Sequence, residues 1–370
     1  MVNKDRISSE FVELTSIDSL TGKERQMADV LKQKLQQMGY EVEEDKAGEK
    51  IGGTAGNLIC TIKGTKGVPA VMLAAHMDTV EPGTGKKPIV DGDVIRSDGT
   101  TVLGSDDVAG IVCILESLKV IKEEAFEHGD IQVVFTIAEE GGLLGARNLD
   151  YSRIYAKYAI VLDTGGPIGT VAVKAPSHNI INATVKGLAS HAGIEPENGI
   201  SAIQIASTAI ASMKLGRIDS ETTANIGSIH GGGQTNIICD KVEIKAEARS
   251  LDNRKLDEQT AHMRECFEKA AVKFGGKVDF KADLEYSSFS IPMDAKIMSM
   301  LQRAADDTNI KLLPEETGGG SDTSIFNENG IESVNISVGM KQVHSVDENI
   351  LVDDMASATE FLLSIIQNIY

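Results

Sequence analysis

Side chains that can bind metals or move protons stand at the ends of apolar segments in this sequence. The first two, His76 and Asp78, close the apolar run that begins at Val71. Side chains two residues apart on an extended strand lean to the same side, so we expect the Asp78 carboxylate to reach the His76 ring. A carboxylate on one imidazole nitrogen makes the other nitrogen a better metal ligand. His-x-Asp is common by chance, and the pair becomes informative only together with acidic residues later in the chain.

Acidic residues recur in the same position after two later apolar segments. Segment 131–138 is followed by Glu139 and Glu140, and segment 158–162 is followed by Asp163. Strands that alternate with helices form an α/β sheet, in which ligands bind beyond the strand ends. Imidazoles and carboxylates are ligands that Zn²⁺ takes in proteins. The recurrence therefore predicts a metal site at one edge of the sheet.

Each of these residues also has an ordinary explanation. A single histidine such as His76 is more often a hydrogen-bonded core residue than a ligand. Asp106-Asp107, ahead of a predicted helix that runs through Leu118, is compatible with a plain N-cap. Gly318-Gly-Gly is not followed by Lys-Ser/Thr, which argues against a phosphate-binding P-loop. Taken together, the ordinary explanations require several independent coincidences.

The helices and strands that would position these residues can be predicted from periodicity. Residues 4–18 look helical, and Thr21-Gly-Lys-Glu24 has the pattern of a capping box that opens a second helix. Strands then alternate with helices up to about residue 175. The predicted fold class is therefore α/β, with a central sheet flanked by helices.

The pattern changes in 176–288, which we interpret as a separate insert. Segments 178–186, 241–248 and 278–286 alternate apolar and polar residues, and helices are predicted between them. Alternation indicates strands with one solvated face. The order strand-helix-strand-helix-strand predicts a small α+β domain, which leaves 1–175 and 289–370 to the first domain.

Composition excludes several classes of partner. The formal net charge of −19 disfavours nucleic acid and anionic membranes, because both would repel the chain. No apolar run approaches the length of a membrane span, and the first residues lack the apolar core of a signal peptide. The four cysteines show no Cys-x-x-Cys spacing. We expect a cytoplasmic protein.

The metal-binding residues carry a resemblance to a known family. The chain resembles the dizinc metallopeptidases that include peptidase T, carboxypeptidase G, aminoacylase and succinyl-diaminopimelate desuccinylase, and it looks closest to peptidase T-like proteins. The residues that carry the likeness are His76-x-Asp78, Asp106-Asp107-x-Ala-Gly110, Glu139-Glu140, Asp163, Ser190-His191-Ala-Gly193 and His344. Val108 departs from the pattern, since many relatives have Lys there.

The resemblance implies roles for these residues. Two Zn²⁺ ions, with Co²⁺ or Mn²⁺ as substitutes, would be bridged by Asp106, and a cis peptide would follow it. The remaining ligands would be His76 and Asp163 for one ion, and Glu140 and His344 for the other. Asp78 would orient His76, and Glu139 would be the general base that acts on a metal-bridging hydroxide.

The resemblance also implies that the catalytic domain has a mixed central sheet and that 176–288 is a lid and dimerisation domain. In relatives the lid histidine reaches the active site of the other subunit and stabilises the oxyanion, so His191 is the candidate here. Asn236, Arg249, Gly319 and Gly320 are candidate substrate-binding residues. For Arg249, an ordinary salt bridge on a strand is an equally good explanation. A homodimer is expected.

The function implied is a zinc-dependent exopeptidase that hydrolyses short peptides, most like an aminotripeptidase. One alternative is an N-acyl amino acid deacylase or a carboxypeptidase of the same family, because the same metals hydrolyse any amide. Another is a non-catalytic metal-binding relative. The intact Glu139 counts against that alternative, because a protein that only binds metal needs no base.

Overall fold

The computed structural model describes all 370 residues, Met1–Tyr370. The chain folds into two compact units. The predicted insert, 176–288, lies inside the longer segment of unit 2, whereas the sequence analysis assigned 317–320 to the other domain. Unit 1 comprises Met1–Val173, Ser290–Glu316 and Ser321–Tyr370, and unit 2 comprises Lys174–Phe289 and Thr317–Gly320.

The α-helices of both units are numbered in chain order. They are α1 Lys4–Thr15, α2 Arg25–Gln37, α3 Ala47–Ile51, α4 Ser105–Glu124, α5 Leu144–Asn148, α6 Ala202–Ala211, α7 Asn253–Phe274, α8 Lys296–Asp307, α9 Asp322–Glu328 and α10 Val352–Gln367.

The strands are numbered in the same way. They are β1 Val42–Glu44, β2 Leu58–Ile62, β3 Val71–His76, β4 Ile89–Asp91, β5 Val94–Arg96, β6 Ile131–Thr136, β7 Tyr158–Gly165, β8 Thr170–Ala175, β9 Ser177–Lys186, β10 Gly216–Arg217, β11 Thr222–Gly231, β12 Lys241–Ser250, β13 Lys277–Tyr286, β14 Phe289–Ser290, β15 Leu313–Glu316, β16 Glu332–Met340 and β17 Asn349–Leu351.

The largest sheet is mixed and has nine strands in the order β1-β2-β6-β3-β7-β16-β8-β14, with β15 beside β8. Strand β3 lies between β6 and β7 and is parallel to both. All six residues of β3 and of β6 are buried. Burial on both faces explains why these segments are almost continuously apolar. The parallel pairing brings the carboxyl ends of β3, β6 and β7 to one edge of the sheet.

Helix α4 is the central helix of unit 1. It contacts β3, β7 and β16 as well as α1 and α10, and most of its residues are buried. A helix that is buried nearly all round has no reason to be amphipathic. Its first residues, Ser105 to Asp107, include the predicted bridging ligand Asp106. The packing of the helix therefore anchors the segment that carries this ligand.

Unit 2 contains a five-stranded antiparallel sheet in the order β10-β11-β12-β9-β13. Burial alternates along β9 and β12, as predicted. Helices α6 and α7 cover one face, where Ile205 and Phe267 pack on Val185 and Ile244. This is the α+β arrangement that the alternation indicates.

Two sequence-based expectations about local structure are wrong. The insert has more strands than predicted, because β11 was missed. Its residues include Gly227, Ser228 and Gly231, which have low strand propensity, and its pairing with β12 shifts between Ile226 and Ser228. The capping box is also absent: α2 begins at Arg25, and no side chain caps it.

No helix in this structure is long and apolar enough to cross a membrane. The cytoplasmic location stays a prediction from the sequence. The four cysteines are free thiols, and Cys239 alone is partly exposed.

An ion pair between the partly exposed Arg6 and the buried Glu116 ties α1 to α4. The Glu116 side chain is fully buried, and its Oε2 and Oε1 accept hydrogen bonds from Arg6 Nε (2.5 Å) and Arg6 Nη2 (2.7 Å). The Asn3 backbone N–H donates to Glu116 Oε1 at 2.9 Å. Because Arg6 supplies the countercharge of this buried carboxylate, α1 is held in a fixed position on α4.

We expect Arg6→Met to lower the free energy of unfolding by about 3–5 kcal/mol, because it leaves the Glu116 carboxylate buried and without its countercharge. The double variant Arg6→Met/Glu116→Met should recover most of that loss. Urea denaturation measures both. The matched control is Arg147→Met on the exposed side of α5, which should change stability by less than about 0.5 kcal/mol. An equal loss of stability in Arg6→Met and Arg147→Met would contradict the role given to the Arg6–Glu116 ion pair.

Candidate metal centre

The two carboxylate oxygens of Asp106 face two different imidazoles. Asp106 Oδ1 lies 2.9 Å from Nε2 of His76, and Asp106 Oδ2 lies 3.1 Å from Nε2 of His344. His76 ends β3, whereas His344 lies in the loop between β16 and β17. A carboxylate that presents one oxygen to each of two ligand groups has the geometry to bridge two metal ions.

The other predicted ligands lie beside these groups. Glu140 Oε1 is 2.7 Å from Nε2 of His344, and Asp163 Oδ1 is 3.9 Å from Nε2 of His76. Donor atoms of His76, Asp106 and Glu140 lie within 4.8 Å of one another. The structure thus brings all five predicted metal ligands together, from three strand ends, the start of α4 and one loop.

Asp107 lies at the same place but is already engaged. Donor atoms of His76, Asp107 and Asp163 also lie within 4.8 Å of one another. However, Asp107 Oδ2 accepts the His76 backbone N–H (3.1 Å) and Oδ1 accepts that of Gly110 (3.2 Å). A Cβ on Gly110 would stand 2.5 Å from Asp107 Oδ1, so only glycine fits there. Asp107 therefore holds the backbone at the end of β3 and in the first turn of α4. The Asp106–Asp107 peptide bond is cis, as the resemblance implies.

Asp78 connects His76 to the two glutamates. Its carboxylate accepts the backbone N–H groups of Glu139 (2.9 Å) and Glu140 (3.2 Å) and the Thr21 hydroxyl (2.8 Å). Nδ1 of His76 lies 2.9 Å from the Asp78 backbone oxygen and 3.4 Å from its carboxylate. The predicted contact is thus made mainly by the backbone carbonyl, and the carboxylate holds the Glu139-Glu140 turn.

The segment that resembles a capping box supports this turn. Oε1 of the buried Glu24 accepts the N–H groups of Gly22 (2.7 Å) and Ala138 (3.1 Å). Ala138 has a φ of 47°, a left-handed backbone conformation just before Glu139. Glu24 therefore bonds to the residue before the Glu139-Glu140 turn and Thr21 bonds to Asp78, and neither side chain caps α2. The spacing of the two residues was visible in the sequence, but their partners were not.

Asn335 was not predicted either, and it fixes the backbone of Asp163. Asn335 Oδ1 accepts the Asp163 N–H at 2.8 Å, and Asn335 Nδ2 donates to the Asp163 carbonyl at 2.7 Å. Strand β16 runs parallel to β7, which makes this side-by-side contact possible. Nothing in the local sequence around Asn335 indicates the contact.

The site contains many more acidic groups than basic ones. Its seven carboxyl groups face only two imidazoles, His76 and His344; they are Asp78, Asp106, Asp107, Glu139, Glu140, Asp163 and Asp322.

Burial and mutual repulsion shift the pKa values of these groups. Burial, with a contribution from Asp163, raises the pKa of Glu139 well above its usual range. Burial raises the pKa of Asp322 to about 6, and Asp322 Oδ1 has no hydrogen-bond partner. Hydrogen bonds to Asp106 and Glu140 raise the pKa of His344 to about 10. For His76, burial lowers the pKa, but Asp106 and Asp78 outweigh it and raise the pKa.

These upward pKa shifts favour the protonated forms of the side chains, which reduces the excess negative charge. Two dications would offset that charge, and the donors are the imidazole nitrogens and carboxylate oxygens that Zn²⁺ prefers. The residues present therefore fit a pair of divalent metal ions.

Unit 2 groups the other predicted site residues in two places. The backbones of His191 and Ile237 form a β-bridge, and the Ala192 N–H donates to the Asn236 carbonyl at 2.9 Å. Elsewhere, Arg249 Nη1 is 3.4 Å from the Gly318 carbonyl oxygen, and the Gly320 N–H donates to the Tyr286 hydroxyl at 2.9 Å. Arg249 Nη2 also pairs with Glu247 at 3.0 Å, so the ordinary salt bridge is present.

Comparison with known proteins gives consistent results. The profile described as peptidase family M20/M25/M40 matches residues 72–368. The uncharacterized protein YqjE of Bacillus subtilis (strain 168) is 44% identical over 99% of both chains.

Two solved structures are also similar to this chain along nearly its whole length. The aminopeptidase PepT of Bacillus cereus ATCC 10987 has a TM-score of 0.91 and 44% identity, over 100% of this chain and 99% of that one. A tripeptidase of Staphylococcus aureus subsp. aureus Mu50 has a TM-score of 0.95 and 41% identity, over 99% and 98% of the two chains.

The geometry separates the roles of the two adjacent glutamates. Glu140 touches His344, so Glu140→Gln should lower the affinity for Co²⁺ by at least about 100-fold, the upper range seen when an outer-shell partner is lost. Glu139→Gln should bind Co²⁺ about as tightly as the wild type. Calorimetric titration of the metal-free proteins measures both. Loss of metal from Glu139→Gln with retention by Glu140→Gln would mean that the roles are reversed.

Proposed function

The chain belongs to peptidase family M20/M25/M40, and we propose that it is a zinc-dependent exopeptidase that cleaves the N-terminal residue from short peptides, with tripeptides as preferred substrates. The observation that carries the proposal is the Asp106 carboxylate, whose two oxygens face the imidazoles of His76 and His344. The preference for tripeptides is supported by the aminopeptidase and the tripeptidase to which the chain is more than 40% identical.

In this proposal His76 and Asp163 would hold one Zn²⁺, Glu140 and His344 would hold the other, and Asp106 would contribute to both. Co²⁺ or Mn²⁺ would substitute. When bound, the metal pair would polarise the scissile carbonyl and lower the pKa of bound water, so that the water can act as a nucleophile at neutral pH. The carboxylates that hold the pair are themselves fixed through their backbones, by Asn335 at Asp163 and by Asp78 at Glu140.

Glu139 is the general base. It takes a proton from the attacking water and passes it to the leaving amine, so that one carboxyl group serves both halves of the reaction. Its backbone N–H is held by Asp78 Oδ1, and Ala138 before it is held by Glu24. These bonds hold the backbone of the turn. The Glu139 side chain is then the base and not a metal ligand.

His191 is assigned to the oxyanion of a substrate bound to the partner chain, which makes the enzyme a homodimer. The support is a set of exposed apolar side chains in the same unit as His191, namely Leu188, Ile194, Ile229 and Ile237, each at least 48% exposed; Ile237 forms a β-bridge with His191. Beyond Thr223 and Ala224, which pair with β10, strand β11 has an unpaired edge. Exposed apolar residues beside an open strand edge suit a second copy of the chain.

Asn236, Arg249, Gly319 and Gly320 are assigned to the peptide backbone and its carboxylate. The guanidinium of Arg249 suits a carboxylate because its N–H groups form a fixed fork. Contacts of this kind select the substrate, whereas the metal ligands are indifferent to it.

A substrate panel tests the proposed function. Wild-type enzyme with Zn²⁺ should hydrolyse a free tripeptide faster than a dipeptide, an N-acetylated tripeptide or an N-acyl amino acid. Glu139→Gln should lower turnover of the tripeptide by roughly two to four orders of magnitude, the range for loss of a general base. Released amino acids are quantified by chromatography.

The other outcomes of the panel have definite meanings. Preference for the N-acyl amino acid would identify a deacylase, and release of the C-terminal residue would identify a carboxypeptidase. Metal binding without hydrolysis of any substrate would identify a non-catalytic relative. Each of these outcomes overturns the aminotripeptidase proposal.

Sharing of His191 between chains is tested by complementation. His191→Ala and Glu139→Gln are each expected to be inactive alone. After mixing and subunit exchange, statistical dimers should regain roughly a quarter of wild-type activity, because half are mixed and each has one complete site. The control replaces Glu139→Gln by the double variant His191→Ala/Glu139→Gln, which offers no complete site. Activity no higher than that control would show that each chain works alone.

A further inference from the structure

A buried glutamate connects the two loops that carry Asp106 and His344. Glu348 follows His344 by four residues and is 1% exposed, although the loop residues before it are mostly exposed. We propose that Glu348 is a positioning residue, which sets the separation between Asp106 and His344 and thereby forms the metal site that these two ligands share. The inference rests on the proposed function only in taking Asp106 and His344 as ligands.

On one side, the Glu348 carboxylate receives four hydrogen bonds from the segment that ends in Asp106. Its Oε2 accepts the backbone N–H groups of Leu103 (2.7 Å) and Gly104 (2.9 Å). Its Oε1 accepts the hydroxyl of Ser105 (2.5 Å) and the N–H of Asp106 (3.1 Å). Hydrogen bonds to a charged acceptor are shorter and stronger than neutral ones, so this segment is held firmly.

On the other side, the backbone of Glu348 belongs to the loop that presents His344. The loop is closed at its base by reciprocal hydrogen bonds between Lys341 and Asn349, of 3.0 and 3.1 Å. The Glu348 carbonyl accepts the Ser97 N–H at 3.0 Å, and its own N–H donates to the Ser345 carbonyl at 3.3 Å. His344 itself has a φ of 61° and a half-exposed side chain. Little packing around the ring therefore determines its position.

A ligand pair needs more than proximity. Functional groups must be held within about 0.5 Å of the productive geometry, and partners beyond the metal ligands supply that precision. Asp106 lies at the start of α4 and His344 lies in an exposed loop, so no shared strand or helix fixes their separation. Glu348 spans the two segments through one side chain. Its four bonds go to the segment that carries the bridging ligand.

The simpler alternative is that Glu348 only stabilises the fold. The two roles differ in what they predict for metal binding. Replacement of a residue that only stabilises the fold changes the unfolding free energy and leaves the affinity of the folded protein for metal unchanged. Replacement of a positioning residue weakens the site that uses both Asp106 and His344, and it does so only while both ligands are present.

The test is calorimetric titration of metal-free Glu348→Gln with Co²⁺. Glutamine keeps the shape and one acceptor oxygen, but its NH₂ group faces donors and breaks half of the bonds. We expect the affinity of one of the two sites to fall roughly 10–100-fold, with a smaller change at the other. Unchanged affinity at both sites overturns the proposal.

Two matched controls separate positioning from stability. Asp347→Asn removes a carboxylate from the same loop at an exposed residue whose side chain makes no hydrogen bond to the Asp106 segment. Arg6→Met destabilises unit 1 at a remote ion pair. Both should bind Co²⁺ like the wild type. If Arg6→Met weakens binding as much as Glu348→Gln does, the effect is one of stability and the proposal fails.

The His344→Ala background provides the sharpest comparison. If Glu348 acts by setting the separation between Asp106 and His344, Glu348→Gln should lower Co²⁺ affinity by a clearly smaller factor when His344 is absent. The same factor in both backgrounds overturns the proposal. Should Glu348→Gln not fold, Ser105→Ala removes a single bond to Oε1 and should show the same dependence on His344 at smaller size.

These measurements concern metal alone and do not depend on hydrolysis. Wild-type protein that binds two Co²⁺ ions but cleaves no peptide would end the proposed function and leave the role of Glu348 intact. If the wild-type protein hydrolyses tripeptides but Glu348→Gln binds Co²⁺ as tightly as the wild type, the proposed function stands and the role of Glu348 is overturned.

Discussion

Carboxylates crowd together at the carboxyl ends of β3, β6 and β7, and their mutual repulsion has to be offset for this part of unit 1 to fold. Seven carboxyl groups meet two imidazoles in a largely buried region, and isolated charges there would be very costly. Burial and the neighbouring carboxylates raise the pKa values of Glu139 and Asp163, which favours their protonated forms in the side chains alone. Divalent cations would relieve the repulsion more completely. The same crowding that opposes folding would thus also favour the binding of divalent cations.

The fold keeps the carboxylates together by giving them backbone N–H donors. Asp78 bonds to the Glu139-Glu140 turn, Asp107 to β3 and α4, and Glu348 to the segment ahead of α4. Each bond stabilises negative charge and also connects two segments of chain. Such networks are worth more when every member is satisfied, because an unpaired buried group is expensive. Glu24 adds a further bond, to Ala138.

The predicted metal ligands and the predicted substrate-binding residues lie in different units. All predicted metal ligands and the proposed base lie in unit 1, where parallel strands bring them to one edge of the central sheet. His191, Asn236, Arg249, Gly319 and Gly320 lie in unit 2. A dinuclear centre can hydrolyse many amides, so substrate choice is expected to depend on the residues outside it. Family membership therefore identifies the chemistry more securely than the substrate.

Local patterns in the sequence predicted the α/β class of unit 1 and the α+β insert, and they marked His76, Glu139-Glu140 and Asp163 as candidates. The full set of five ligands, with Asp106 and His344, was implied by the resemblance to a known family. A continuous apolar run predicts a strand buried on both faces, but a polar residue at its end becomes a candidate ligand only together with the others. The structure corrected what depends on partners remote in the chain. Thr21 and Glu24 have capping-box spacing, yet their oxygens bond to Asp78 and to the Ala138 N–H, about 57 and 114 residues away. Asn335 and Glu348 carry no local signal, since parallel strand pairing and loop closure alone bring them to Asp163 and Asp106. Tertiary structure decided these contacts because a buried backbone donor takes whichever acceptor the fold places beside it.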